Sequence, residues 1–496
     1  MPDPLEQLQE LREELGALEK RRREIVAEIR KLQTHSKPEA VPSAEGLVTV
    51  QSSEPEKILL FRELFSGRDD VFPLRFESRK SGRSGYQPVC GNEWRPGICL
   101  KPKIKCAKCE YREFIPVTDS IVRQHLSGKD QHGKPFVMGI YPLRTDETCS
   151  FLAADFDKAE WQHDATAFLD TCDELGIPAY LERSRSGNGG HVWIFFKEPL
   201  PARLARKLGF HILTVAMENR PELGFDSYDR LFPNQDRMPS GGFGNLIALP
   251  LQKQARKSGN SMFVGRFFTP YADQWSFFSG VKRAETDLVS ELVKTAEKHD
   301  LILGVRAASE EDDSSPWLLP PSRKTNEKIS GPHPQLLKVV LANQIYIPRK
   351  DLSSSLRNSL LRLAAFANPE FHKAQAMRMP VYGKPRVIAC AEEFSEHIAL
   401  PRGCQNDLLE LLDNLGIKIE VEDQRNHGKP IELPFTGQLR DEQLLAGKAL
   451  LKHDIGILSA PTAFGKTVLA AWLIAQRKTN VLILVHRRQL MEQWQA

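Results

Sequence analysis

Between residues 5 and 33 apolar side chains recur at Leu8, Leu11, Leu15, Leu18, Ile25, Ile29 and Leu32, with Arg22 in the one skipped position. Alternating steps of three and four return to one helix face. They predict a helix with a heptad seam of about three and a half repeats, Glu, Arg and Lys covering the rest. Such a seam serves self-association or docking on a partner helix. Folding back on its own domain is the competing reading, because an isolated seam this short is marginal in water. Residues 34–55 lose the period and are rich in Ser, Pro and Glu, which reads as a linker. From 56 to 300, apolar runs of strand length alternate with helical patterns, predicting a mixed α/β domain. A second aperiodic stretch, 301–334, contains RAASEEDDSSPWLLPPSRKTNEK and reads as another linker. It precedes a small α/β region over 335–430, and from 431 to 496 the pattern sharpens into helix, strand, loop, helix, strand.

Composition narrows the class. With 68 Lys+Arg against 64 Asp+Glu the net charge is only +4, and hydrophobic content is 41%. This is a globular chain able to bury cores, not a basic tail or an acidic solvating segment. The longest apolar runs, such as VLILV at 481–485, are far too short to span a bilayer. The opening MPDPLEQLQE lacks the basic-then-apolar pattern of an export signal. Eight cysteines in 496 residues are too sparse for a disulfide scaffold. Four of them crowd into 90–109, which suggests a metal in a reducing compartment; the expectation is a cytoplasmic protein without a membrane partner.

Those four, Cys90, Cys99, Cys106 and Cys109, are spaced C-x8-C-x6-C-x2-C. The C-x2-C pair lets two thiolates reach one ion from a tight turn, and two more complete a tetrahedral shell, the chemistry of structural zinc. Between Arg79 and Lys108 lie eight Lys/Arg and a single acid, Glu93. A loop that basic suits a phosphate backbone; a merely solvated face is the alternative.

The segment FVMGIYPLRTDETCSFLAADFD (136–157) holds two apolar runs about a polar turn, predicting a hairpin or adjacent strands. Strand alternation puts Asp155 and Asp157 on one face, about 7 Å apart, with Phe156 pointing the other way. Oxygen ligands at that spacing suit Mg²⁺ or Mn²⁺ shared with substrate phosphates. In AYLERSRSGNGGHVWIFF (179–196) a Ser/Gly turn joins two strands. Gly187, Gly189 and Gly190 free backbone N–H groups to approach phosphate oxygens, Ser186 adds a hydroxyl, and His191 can donate to a triphosphate. An ordinary hairpin turn with a core histidine reads equally well from this segment alone. A third acid is available among Asp226, Asp229 and Asp236 in FDSYDRLFPNQDRMPSGGFGNLIALPLQ (225–252).

The ordered strings AADFD, RSRSGNGGHVWIFF and YDRLFPNQD with GFGNLIALPLQ resemble the archaeo-eukaryotic primase superfamily, and more closely the primase-like domain of TOTE conflict systems, in which such a domain precedes a superfamily 2 helicase. The resemblance implies a primase (RRM-like) catalytic domain at 56–300 with a zinc-binding insertion. It also implies metal binding by Asp155, Asp157 and Asp229, and nucleotide contact by His191. Arg183 and Arg185, beside Ser186 and Gly187, would help to hold the triphosphate. Many members carry Ser two residues before the histidine, where this chain has Gly189. The implied chemistry is template-directed nucleotidyl transfer by two metals, on a single-stranded DNA or RNA template, within a defence or mobile-element conflict.

The C-terminal IGILSAPTAFGKT (455–467) is a P-loop between an apolar run and the helix VLAAWLIAQR. Its backbone N–H groups would cradle ATP phosphates through Thr462 and Gly465, with Lys466 on the β/γ-phosphates and Thr467 on Mg²⁺. The Ala variant of the loop, LRDEQ (439–443) and VLILVHRRQLMEQW (481–494) resemble superfamily 2 helicases, in which Gln443 would read the adenine. The sequence stops at Ala496, before an acidic box or a second RecA-like domain. ATPase activity is therefore expected to be incomplete, with a separate chain supplying the rest if the protein is split. Two other classes are compatible with the carboxylates: a metal-dependent nuclease with a helicase subunit, and a non-catalytic DNA-binding adaptor. Against the first, the acid-x-Lys of such nucleases is absent, since Glu182-Arg183-Ser184 ends in Ser.

Overall fold

The computed structural model describes residues 47–77, 82, 84–101, 103–220, 223, 224, 227, 230–298, 333–350, 352–381 and 383–495. The expected coiled-coil helix of 1–33 and nearly all of the second linker lie outside the described residues. Contacts divide the chain into two units. The first comprises residues up to Gly209 with Arg230–Leu292, the second Phe210–Asp229 with Val293 onward.

The first unit opens earlier than the sequence suggests. The Val48 N–H donates to Ser279 Oγ at 2.9 Å and the Val50 N–H to Asp273 Oδ2 at 2.8 Å, so these linker residues are fastened to the domain. Ser53 then caps α1 (Glu54–Leu64) through a capping box with Glu56, with Pro in the first turn. β1 (Pro73–Glu77) and β2 (Ser84–Pro88) form a hairpin. α2 (Asp119–Ser127) starts at the Thr118 cap and ends at left-handed Gly128.

The FVMGIYPLRTDET run does not form the expected hairpin. Its first strand, β3 (Gly139–Ile140), pairs instead with β8 (Ile247–Ala248), while the second, β4 (Thr148–Phe156), enters a five-stranded antiparallel sheet. That sheet is built from β4, α3 (Trp161–Glu174), β5 (Tyr180–Arg183), β6 (Gly190–Pro201), α4 (Ala202–Asn219), β7 (Leu231–Phe232) and β9 (Met262–Val264). Its order is β7-β4-β6-β5-β9, so the chain runs βαββαβ with the first and third strands side by side at the centre.

Alternation gives the sheet two faces. Leu152, Ala154 and Phe156 of β4 carry the helices. Phe156 meets Phe168 of α3 with ring centroids 5.7 Å apart. At Gly209 of α4 a Cβ would stand 2.7 Å from Leu231 and 2.9 Å from Leu152, so only glycine lets the helix lie this close. The opposite face pairs Phe151 with Phe195, Ala153 with Trp193 and Asp155 with His191. Its apolar end is buried with Phe61, Phe65, Phe263, Trp275 and Phe278 in one core. Its polar end is the candidate site.

The second unit holds a five-stranded sheet of order β12-β13-β11-β10-β14. Its strands are β10 (Leu336–Leu341), β11 (Ile345–Pro348), β12 (Glu392–Glu393), β13 (His397–Leu400) and β14 (Lys418–Asp423). Helices α6 (Ser354–Leu363) and α7 (Gln405–Asn414) bury Leu356, Leu360, Leu408 and Leu412 with Leu337, Ile347 and Ile398 of the sheet. Three helices follow among the described residues, α8 (Asp441–Leu451), α9 (Lys466–Arg477) and α10 (Arg488–Gln495). The runs at 455–459 and 481–485, expected as strands, join no sheet, and Ile457 and Leu484 stand 93% and 84% exposed. Their strand propensity has no ladder partner among the described residues, and propensity alone does not make a strand.

Candidate active site

β4, β6 and β5 place Asp155, His191 and Glu182 in one cross-strand row: Asp155 pairs with His191, and His191 with Glu182. Side chains directly opposite on an antiparallel pair share a face. His191 Nδ1–H donates to Glu182 Oε2 at 2.9 Å, leaving Nε2 3.6 Å from Asp155 Oδ1. Trp193 Nε1–H donates to the same Glu182 oxygen at 2.9 Å, and Glu182 is 1% exposed. The buried carboxylate thus fixes both the tautomer and the ring orientation of His191. Asp157, one residue past β4, is exposed and paired with Arg230, which immediately precedes β7.

Burial raises the pKa of Asp155 above the ordinary carboxylate range; His191 opposes this, Asp157 adds to it and Arg230 subtracts. Burial alone would discharge His191, but Glu182, by charge and by hydrogen bond, and then Asp155 and Asp157, outweigh it. The imidazole pKa ends above its usual value.

The Ser/Gly turn joins β5 to β6 at the end of this row. Ser184 N–H donates to Gly189 O at 2.9 Å, and the Ser184 and Ser186 hydroxyls are 3.2 Å apart. Gly187 has φ +83, and a Cβ there would stand 2.8 Å from the Asn260 amide. A Cβ on Gly189 would lie 2.6 Å from Phe156 O, so the missing side chain lets the turn rest against the backbone leading into Asp157.

Of the residues expected at the site, the structure thus brings together Asp155 and His191, places Asp157 within electrostatic reach of both, and lays the Ser186–Gly187 turn beside them. Asp229 and its competitor Asp226 lie outside the described residues. Asp236 pairs with the buried Arg206 at 3.2 Å. The two arginines go elsewhere. Arg183 sits on the opposite face of β5, where its guanidinium donates to Phe268 O at 2.8 Å. Arg185 reaches the Tyr86 hydroxyl on β2. Sequence reasoning missed Glu182 and Arg230 as functional residues. A hairpin closed by Arg183 and Gly190 already sets Glu182 opposite His191, and an acid in so apolar a strand needs such a partner.

Cys90, Cys99, Cys106 and Cys109 line one cavity with Glu93, Lys101 and Tyr111. The Glu113 N–H donates to Cys90 Sγ at 3.3 Å, and Lys101 pairs with Glu93 at 2.8 Å and reaches Cys106. Soft sulfur donors suit zinc. Among the described residues, however, no three His, Cys, Asp or Glu side chains are gathered into a group that could hold a metal ion.

In the second unit, Gly465 takes φ +82 immediately before α9, as a phosphate loop requires. Lys466 Nζ donates to Ala460 O at 2.8 Å and Pro461 O at 2.7 Å, which folds the lysine back over the loop that holds Thr462, with Thr467 in the first turn of α9. Gln443 is buried beneath. It donates to Phe464 O at 2.7 Å and accepts from Arg440 N–H at 2.9 Å, so its amide braces the loop instead of standing free for a base.

Comparisons with known proteins agree with the two motif sets. The sequence model of the family described as TOTE conflict system, Archaeo-Eukaryotic Primase domain, matches residues 56–292. That of the type III restriction enzyme res subunit matches residues 436–496. A protein of Invertebrate iridescent virus 6 named as a candidate helicase, 161L, is 29% identical over 116 residues, 23% of this chain and 24% of that protein. The chain therefore spans about a quarter of that relative's length. The polymerase domain of Mycobacterium tuberculosis ligase D in complex with DNA is 12% identical, over 50% of this chain and 89% of that one, at a TM-score of 0.25, too low to carry an argument. No helix among the described residues is long and apolar enough to cross a membrane. Residues 56–292 thus match an archaeo-eukaryotic primase domain of the TOTE conflict system family, and residues 436–496 match a helicase-type region of type III restriction res subunits.

Proposed function

We propose that the first unit catalyses template-directed nucleotidyl transfer on DNA, serving a conflict system. The observation that carries this reading is the row Asp155–His191–Glu182, with Asp157 on the same face and the Ser/Gly turn beside it. The βαββαβ strand order supports an RRM-like catalytic domain. Asp155 and Asp157 would hold Mg²⁺ or Mn²⁺, with Asp229 as the third ligand. The fit rests on hard oxygen donors and on Asp155, a half-buried carboxylate whose pKa desolvation raises above the ordinary range despite His191 beside it. A bound cation would acidify the 3′-hydroxyl and neutralise the leaving pyrophosphate. His191, whose pKa Glu182 raises, would in its protonated form donate Nε2–H to a triphosphate oxygen. The turn at Ser186 and Gly187 would offer a hydroxyl and backbone N–H groups to the same phosphates. Arg230 would pass from Asp157 to the phosphates once a cation takes its place. The four cysteines would hold structural zinc, and the 460–467 loop would bind ATP.

Incubation of the chain with Mg²⁺ or Mn²⁺, labelled nucleotides and primed and unprimed single-stranded templates tests the reading. Extension by the wild type, absent in Asp155→Asn and Asp157→Asn, supports it. Shortening of the template, or binding without either reaction, overturns it in favour of a nuclease or an adaptor. Zinc released by a mercurial at one ion per chain, and lost in Cys106→Ser, is expected for the thiol site.

A further inference from the structure

We propose that the outer surface of the cysteine loop, residues 91–112, is a stacking platform for a single nucleic-acid strand, which rests on the polymerase reading by making that strand the template. Trp94 is 65% and Tyr111 56% exposed, and Leu100 and Ile104 are also on the surface. Two large aromatic rings left in water within eighteen residues of each other call for a ligand with flat apolar faces. Trp94 is held at φ +60, a left-handed conformation that a bulky side chain seldom adopts. Strain of this kind persists where the surrounding structure enforces it, and it clusters at binding sites. The Asn92 side chain donates to Tyr111 O at 3.0 Å, tying the two aromatic positions together.

Charge identifies the ligand. Arg95, Lys103, Lys105, Lys108 and Arg112 are exposed, and Lys101 sits 5.7 Å from the centre of the Trp94 ring. Among the described residues Lys103, Lys105 and Lys108 make no ion pair, while Glu93 is already engaged by Lys101. Glu110 and Glu113 only partly offset this surplus. Interleaved cations and exposed aromatics match a polyanion whose bases are free to stack, which is a single strand and not a closed duplex. The platform is fastened to the rest of the first unit on two sides. β2 leads into it, and Arg185 of the Ser/Gly turn reaches Tyr86 of that strand. On the other side, Gly241 packs so tightly on Ala107 that a Cβ would lie 2.7 Å from its carbonyl oxygen.

The test uses the full chain and an oligonucleotide carrying 5-iodouracil, which crosslinks to stacked aromatic side chains on irradiation. Crosslinks are expected in the 90–114 peptide, lost in Trp94→Ala and kept in Trp94→Phe. Single-strand affinity should fall about tenfold in Trp94→Ala, the effect of losing one stacked base, with duplex affinity unchanged within about twofold. Lys103→Glu/Lys105→Glu should flatten the salt dependence of single-strand binding. Crosslinks confined to other peptides, or equal loss of duplex and single-strand binding in Trp94→Ala, would overturn the platform. Asp155→Asn separates the two readings: it should abolish extension and leave the 90–114 crosslink intact. A wild type that crosslinks there without ever extending a primer keeps the platform and removes the polymerase.

Discussion

His125 offers a quantitative test of the packing beneath the sheet. It lies on α2, fully buried, with Nε2–H donating to Pro250 O at 2.8 Å and Nδ1 accepting the Met138 N–H at 3.2 Å. Both ring nitrogens are therefore used by the neutral imidazole, and a proton added to Nδ1 would break the second bond. Burial drives its pKa from 6.5 down to about 4, with Arg256 adding to the effect. The sign follows from linkage. Between pH 6.5 and 4 the unfolded chain takes up a proton that the folded chain refuses, so stability falls as pH falls through that window and levels off below it. At about 1.4 kcal/mol per pH unit, the full loss is about 3 kcal/mol. His125→Gln keeps one donor and one acceptor but cannot ionise. Its expected loss at pH 8 is about 1 kcal/mol, and its stability should cross above that of the wild type at about pH 6, where the wild type has lost the same amount. Urea unfolding followed by tryptophan fluorescence, with Trp193 and Trp275 in the same core, measures both chains from pH 8 to 4. The difference isolates residue 125, because every other titrating group is common to the two. A difference that stays constant across the range would refute the buried-neutral assignment.

Three further outcomes follow from the geometry. Glu182→Gln leaves Trp193 and His191 an acceptor but removes the charge that raises the imidazole pKa; kcat/KM for nucleotide should fall about tenfold or more with the near-ultraviolet circular dichroism unchanged. Gly190→Ala would set a Cβ 2.5 Å from the Trp161 ring and 3.1 Å from Glu182 O. A loss of about 1–3 kcal/mol in thermal unfolding is expected from such overpacking. Gln443→Ala leaves Phe464 O and Arg440 N–H without their partner, so affinity for a fluorescent ATP analogue should drop although no ATP contact is removed; equal affinity would contradict the bracing role.

Much of the site was legible because strand alternation is a strict rule. Asp155 and Asp157 could be placed on one face from spacing alone, and the glycines of 187–190 announced a close backbone approach; that His191 joins them came from the strand pairing. What was not legible depended on long-range pairing. Whether β3 joins β4 or β8 is decided by an apolar strand about a hundred residues further on, which no local pattern encodes. Arg183 and Arg185 looked like phosphate ligands because they are cationic and adjacent. Alternation sends Arg183 to the far face, and Tyr86 claims Arg185. Glu182 was read only as a failed nuclease motif, although the hairpin closed by Arg183 and Gly190 fixes it opposite His191. At the C-terminus the opposite error arose: apolar runs with strong strand propensity were expected as strands, but a strand exists only with a neighbour.

The two ends of one sheet face explain why the row of Asp155, His191 and Glu182 can be rigid. Phe151, Trp193 and Phe195 pack against α1 and against Trp275 and Phe278 of α5 (Gln274–Ser279), which fixes β4 and β6 relative to each other. One and two steps along the same strands, the ladder delivers Asp155 and His191 with little freedom left to lose. Trp193 belongs to both ends: its ring is in the aromatic core, stacked on Phe195 at 6.1 Å, and its Nε1–H grips Glu182. Removing that one N–H would therefore loosen the carboxylate behind His191 without touching any group that meets substrate. Trp193→Phe should cost activity through His191 alignment while the apolar core stays filled, and Glu182 is the residue through which the effect must pass. In a double-mutant cycle, Trp193→Phe added to Glu182→Gln should lower kcat/KM less than the two single losses combined. Full additivity would mean that the tryptophan acts on the site through packing alone.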